Sequence, residues 1–208
     1  GLFDVNFGKD DFKDTDDNDI EDVDAVTYAL GVKSDGVASG LVDTQSGSSV
    51  ALFLEGGDVI GTIGGVGGTQ VLRIHVDANS GEVTLTQYRA VVHDNPNDPA
   101  ETGAEAAVLA AADLVTLTAT ATDGDGDTDS ETKNIGDAFK FEDDGPSVSV
   151  TTTAPADALT VDETVLADDD SADFADNFTS TSGFGQDGAG TLASGYALSV
   201  GGGDGADS

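Results

Sequence analysis

The stretch Val71–Tyr88, VLRIHVDANSGEVTLTQY, decides the fold. Leu72, Ile74 and Val76 alternate with Arg73 and His75, and Val83 and Leu85 alternate with Thr84 and Thr86. A period of two puts apolar side chains on one face of an extended chain and polar ones on the other. Between the halves stands Asn79-Ser80-Gly81, made of residues that tolerate positive φ. The reading is a β-hairpin with one face against a core.

The pattern repeats outward. Val26–Val32, Ser49–Leu54, Leu114–Thr122 and Ala138–Glu142 also read as strands rich in Val, Thr, Leu and aromatics. Gly56-Gly57 marks a second hairpin, between SVALFLE and DVIGTI, and Gly64–Gly68 reads as a loop. The one helical candidate is the alanine-rich Glu101–Leu114, giving one or two turns near 104–114. Many short strands with a turn every eight to twelve residues define an all-β chain, an antiparallel β-sandwich of Ig-like or Greek-key type.

Composition narrows the function. The 208 residues hold 41 acids against 7 Lys and Arg, a formal net charge of −34. A nucleic-acid partner and an anionic membrane surface are both disfavoured by this charge. No apolar run reaches the roughly 18–20 residues of a membrane span. Cysteine is absent, so no disulfide staples the fold. Crowded carboxylates with few cations nearby call for a bound counter-charge or thorough solvation. An oxygen-only donor set points to Ca²⁺.

Three blocks concentrate the acids. Asp123, Asp125, Asp127 and Asp129 follow the run LVTLTATA. On a straight strand such i, i+2 positions lie about 7 Å apart, too far for one ion with oxygens at about 2.3–2.6 Å. A loop that folds back would gather two or three. Counted from Asp123, loop positions six and twelve hold Thr128 and Asn134 rather than Gly and Glu, which rejects an EF-hand. A second block, DDFKDTDDND, offers Asp14, Asp16 and Asn18 in D-x-D-x-N spacing. It lacks the Gly, and Glu21, Asp22 or Asp24 would have to complete it. The third block contains Glu142, Asp143 and Asp144 before Gly145-Pro146, and Asp162 and Glu163 could join it from the following sequence. The competing readings are, in turn, a solvated turn, a disordered acidic segment and an exposed linker.

An internal echo organises the chain. VTYALGVKSDGVAS (Val26–Ser39) returns as SGYALSVGGGDGADS (Ser194–Ser208), and FGKD (Phe7–Asp10) as FGQD (Phe184–Asp187). Residues 1–146 are expected to form most of one sandwich repeat and residues 147–208 the opening of the next, with DDGPSVSV (Asp143–Val150) as the seam. The last residues stop mid-phrase, so the chain is expected to be cut from a longer polypeptide. Residues 147–208 could complete the first sandwich or pair with a neighbouring molecule.

Histidine chemistry is sparse. His75 and His93 are the only two, too few and too separated for a zinc centre, and they read as structural. Arg89 is expected to pair with a carboxylate and pin a strand end. No hydrolase elbow, Walker A loop or dinucleotide fingerprint occurs. Asn177-Phe178-Thr179 matches a glycosylation sequon.

Taken in order, SGLVDTQSG (Ser39–Gly47), SGEVTLTQYRAVVHDNPNDP (Ser80–Pro99), LVTLTATATDGDGDTDS (Leu114–Ser130) and IGDAFKFEDDGPSV (Ile135–Val148) resemble a repeated domain of very large RTX-type adhesins. The acidic insert Asp10–Asp24 departs from that pattern. The resemblance implies tandem β-sandwiches with Ca²⁺ within or between them, type I secretion to a bacterial cell surface, and a part in adhesion and biofilm formation. The implied partners are neighbouring repeats, with a host or surface glycan or protein met through other domains. It implies no catalytic activity. The expectation is a calcium-stiffened extender; the rival readings are a calcium-dependent sugar- or peptide-binding module and, least of all, an enzyme.

Overall fold

A computed structural model describes residues 1–95, 102–153 and 157–199. Residues 96–99 of the string Ser80–Pro99, Glu101 of the helical candidate and residues 200–208 of the echo lie outside the described residues. The chain divides into two compact units, Gly1–Asp144 and Gly145–Ser208.

The first unit is an all-β sandwich of antiparallel sheets. One sheet is a meander of five strands, β2 (Val37–Val42), β3 (Ser49–Glu55), β4 (Asp58–Ile63), β5 (Thr69–Val76) and β6 (Val83–Gln87). The other places β8 (Val115–Thr122) between β1 (Val26–Val32) and β9 (Thr128–Asn134). β1 pairs with β8 far along the chain, Leu30 opposite Leu117. This non-local partnership closes the sandwich. β7 (Ala107–Val108) and β10 (Lys140–Phe141) form a small extra pair.

The core lies between the two sheets. Val50, Leu52, Val59, Leu72 and Ile74 of the meander meet Leu30, Val115 and Leu117, with Phe141 among them. Burying such side chains contributes about 1.5–3 kcal/mol each. Val71 is the extra residue of a bulge: Gly61 pairs with Leu72 while Thr62 pairs with Gln70. The bulge turns Val71 inward beside Leu72, both fully buried. Gly61 has to be glycine, because a Cβ there would stand 2.6 Å from Leu72 Cγ.

Both hairpin signals are realised. Glu55 pairs with Asp58, leaving Gly56 (φ +60°) and Gly57 (φ +91°) as a two-residue turn with both residues left-handed. Across the second, the Asp77 carboxylate accepts the Asn79 and Ser80 backbone N–H groups, and Gly81 (φ +71°) closes the loop.

Two readings of the sequence need correction. The helical candidate near 104–114 is not an α-helix: it holds the short β7 and one 3-10 turn at Ala112–Leu114. The alanines favour helix, but the backbone is committed elsewhere: Ala110 N–H donates to the Ser39 carbonyl and Ala107 pairs with Phe141. Tertiary pairing overrides propensity. The expected strand Ala138–Glu142 shrinks to Lys140–Phe141, preceded by a 3-10 turn at Gly136–Ala138.

The second unit is built on one hairpin-like pair, β11 (Ser147–Thr152) with β12 (Phe178–Gly183). Val148, Val150 and Phe178 share one face and remain 66%, 61% and 43% exposed. Its buried polar centre is Asn177, whose side chain donates to Asp157 and Asp176 and accepts from the Asp157 backbone N–H. The sequon asparagine is therefore a structural tie.

Candidate metal centres

The hairpin joining β8 to β9 gathers three of the four alternating aspartates. Thr122 pairs with Thr128, so the chain reverses within Asp123–Asp127. Asp123 makes the turn: its carbonyl accepts the Gly126 N–H, and its carboxylate accepts the Asp127 N–H at 2.9 Å. Gly126 adopts φ +97°, as a three-residue hairpin with a left-handed residue requires. The folded loop leaves one oxygen each of Asp123, Asp125 and Asp127 within 4.8 Å of one another. Two oxygens that ligate one Ca²⁺ at about 2.4 Å stand at most about 4.8 Å apart, so this donor set fits a single ion. Asp129 is not in the group. It lies on β9 opposite Ala121, and its carboxylate accepts the Ser130 N–H.

The field in this loop is repulsive. Asp125 titrates above the usual carboxylate range, first because it shares a hydrogen bond with Asp123, then through the charges of Asp123 and Asp127. Like charges this close disfavour the ionised form of Asp125.

The second cluster joins Asp14, Asp16 and Asp22, again with oxygens within 4.8 Å. Asp22, one of the acids expected to complete the D-x-D-x-N run, accepts Thr15 through both its backbone N–H and its hydroxyl. These bonds hold Asp22 below the usual range. Desolvation is the largest influence on Asp14 and pushes it up, but the Asn18 and Asp19 amides together with Asp16 lower it overall. Asn18 joins through its backbone N–H at 3.2 Å from Asp14 Oδ1, while its side chain turns to the Ile20 N–H. Asp17 and Asp19 sit at φ +55° and +61°, which aspartate tolerates better than most residues.

The third block is spread over both units. Within the first, Glu142 accepts the Gly103 N–H at 3.2 Å, and Asp143 and Asp144 close the unit without joining a carboxylate cluster among the described residues. Within the second, Asp162 accepts the Thr164 N–H and hydroxyl, which lowers it, and Glu163 is exposed.

Sequence reasoning underrated one polar centre. Arg89 does meet a carboxylate, that of Asp43, through Nε at 2.7 Å and a second nitrogen at 2.9 Å. Asp43 is fully buried and also accepts the Ser46 N–H and hydroxyl. The Arg89 hydrogen bond dominates, and Asp43 is held down at about 2. The string VDTQSG was the signal, an Asx turn with the acid three residues before a serine. His75 also meets a carboxylate, its Nδ1 2.7 Å from Asp58, which Arg73 binds as well.

An antiparallel β-sandwich whose loops gather carboxylates at cation-ligating distances is an acidic β-domain with candidate metal centres. The sequence model of a domain of unknown function, DUF5801, matches residues 1–136, and the chain belongs to that family. No curated protein and no solved structure matches it. No helix among the described residues is long and apolar enough to cross a membrane.

Proposed function

We propose that this chain is a calcium-stiffened extender module of a large RTX-type adhesin on a bacterial cell surface, a structural rather than catalytic part that supports adhesion and biofilm formation. Its partners are neighbouring repeats of the same polypeptide. The observation that carries the reading is the β8–β9 hairpin. Three carboxylates crowd within 4.8 Å there, and the nearby Lys13 already pairs with Asp24. A divalent cation relieves that repulsion and couples its own binding to the folded state. When bound, Ca²⁺ supplies charge neutralisation and a rigid cross-link. The protein's part is to hold Asp123 in the turn, to present Asp125 and Asp127, and to set Asp14, Asp16 and Asp22 in a second loop.

The test is a thermal melt in millimolar CaCl₂ against EDTA at matched ionic strength. The expected outcome is a rise of several degrees, as about 1–3 kcal/mol of ligand linkage produces. In Asp123→Asn/Asp125→Asn/Asp127→Asn most of that rise disappears. Identical melts in calcium and EDTA would count against the reading.

A further inference from the structure

The acidic insert Asp10–Asp24 does not trail into solvent. Its first residues lie along the end of β8 and the loop that follows. Lys13 N–H donates to the Thr122 carbonyl at 3.2 Å, Gly124 N–H donates to the Asp11 carbonyl at 3.1 Å, and Phe12 bridges Asp123. Contact is close enough that a Cβ on Gly124 would stand 2.4 Å from the Asp10 carbonyl oxygen. The far end returns to the sheet where Ala25 accepts the Thr122 N–H. A strap therefore begins and ends on the same strand.

Charge opposes this docking. Residues 10–24 carry nine acids and one lysine, and the hairpin beneath carries Asp123, Asp125 and Asp127. The strap is held to β8 and its loop by these few backbone bonds alone, because the edge-on contact of Phe12 with Phe7 (ring centroids 6.4 Å apart) and the Lys13–Asp24 ion pair do not reach the hairpin. A contact with so few bonds opens locally, without global unfolding. Repulsion between exposed charges at this range is reduced strongly by salt, whose screening length is about 10 Å at 0.1 M.

We propose that Asp10–Asp24 is an electrostatic strap: it lifts from the β8–β9 hairpin at low ionic strength and closes onto it as cations screen or neutralise the facing acids. Closing it covers one side of the Asp123–Asp127 loop, and opening it bares the end of β8. Closure needs no particular ion, so the inference stands apart from the calcium reading.

Amide hydrogen exchange of the full chain tests this, read at Lys13 and Gly124, with the β1–β8 amides as a folding control. Three conditions suffice: EDTA at low salt, EDTA with NaCl, and CaCl₂ matched to that NaCl in ionic strength. Protection at Lys13 and Gly124 rises about tenfold from the first to the second while the control holds steady. Asp125→Asn/Asp127→Asn, which touches no strap bond, closes the strap already at low salt. Gly124→Ala keeps it open in every condition. Equal protection at low salt and in NaCl overturns the inference, as does loss of the control amides in step with Lys13. Calcium exceeding matched NaCl bears on the calcium reading alone, so the two can fail separately.

Discussion

The most consequential single side chain is Asp43. A buried carboxylate survives only if fully paired, and here Arg89 and Ser46 together occupy both its oxygens. Arg89→Ala leaves that charge buried and unpaired, and is expected to cost about 3–5 kcal/mol in urea denaturation. The pH dependence has a definite sign. Asp43 is depressed in the fold, so its contribution is complete above the unfolded value of about 3.9 and is lost as pH falls toward about 2. The stability gap between wild type and Asp43→Asn is therefore expected to shrink by about 2 kcal/mol across that window. Asp125 has the opposite sign. Its value is raised, so stability falls as pH rises from the unfolded value through the raised one, and the penalty of its charge is complete above that. Without divalent cations, Asp125→Asn is expected to melt no lower than wild type at neutral pH, and calcium to bind wild type more weakly as the pH falls.

Among the elements, the echoed strand gives the sharpest contrast. Leu30 and Leu198 occupy the same place in the two YAL strings, yet Leu30 is 6% exposed and Leu198 is 105% exposed. The tyrosines behave alike, Tyr28 against Phe3 and Tyr196 against Phe178, each with ring centroids 6.1 Å apart. The difference is that Leu30 lies opposite Leu117 of β8, whereas residues 194–199 belong to no strand. Leu30→Ala is expected to cost about 2–5 kcal/mol, and Leu198→Ala to stay within about 0.5 kcal/mol, both followed by far-UV circular dichroism in urea. Legibility in the sequence followed the same physics. Strands with one buried face, such as β5 and β8, announce themselves through alternating apolar residues. β9 has none: TDSETKN is a polar edge strand placed by its pairing with β8, so only its partner could reveal it. In the helical candidate, local preference lost to the hydrogen bonds of Ala107 and Ala110 with distant strands. The aspartate cluster was half legible, because alternation shows which acids are near in sequence while the turn at Asp123 decides which three meet.

At the scale of the molecule, the balance is between a modest apolar core and a charge of −34. The core holds the sheets together, while at the β8–β9 loop the acids repel one another. On the proposed reading, calcium acting at two loops of the first unit would neutralise the acids gathered there and cross-link each loop. Isothermal titration of CaCl₂ into the full chain in EDTA-free buffer tests that most directly. Saturable heat is expected, with a stoichiometry of at least one ion that falls when Asp123, Asp125 and Asp127 become asparagine. A titration with no heat beyond dilution, matched by unchanged protection of the hairpin amides, would contradict it.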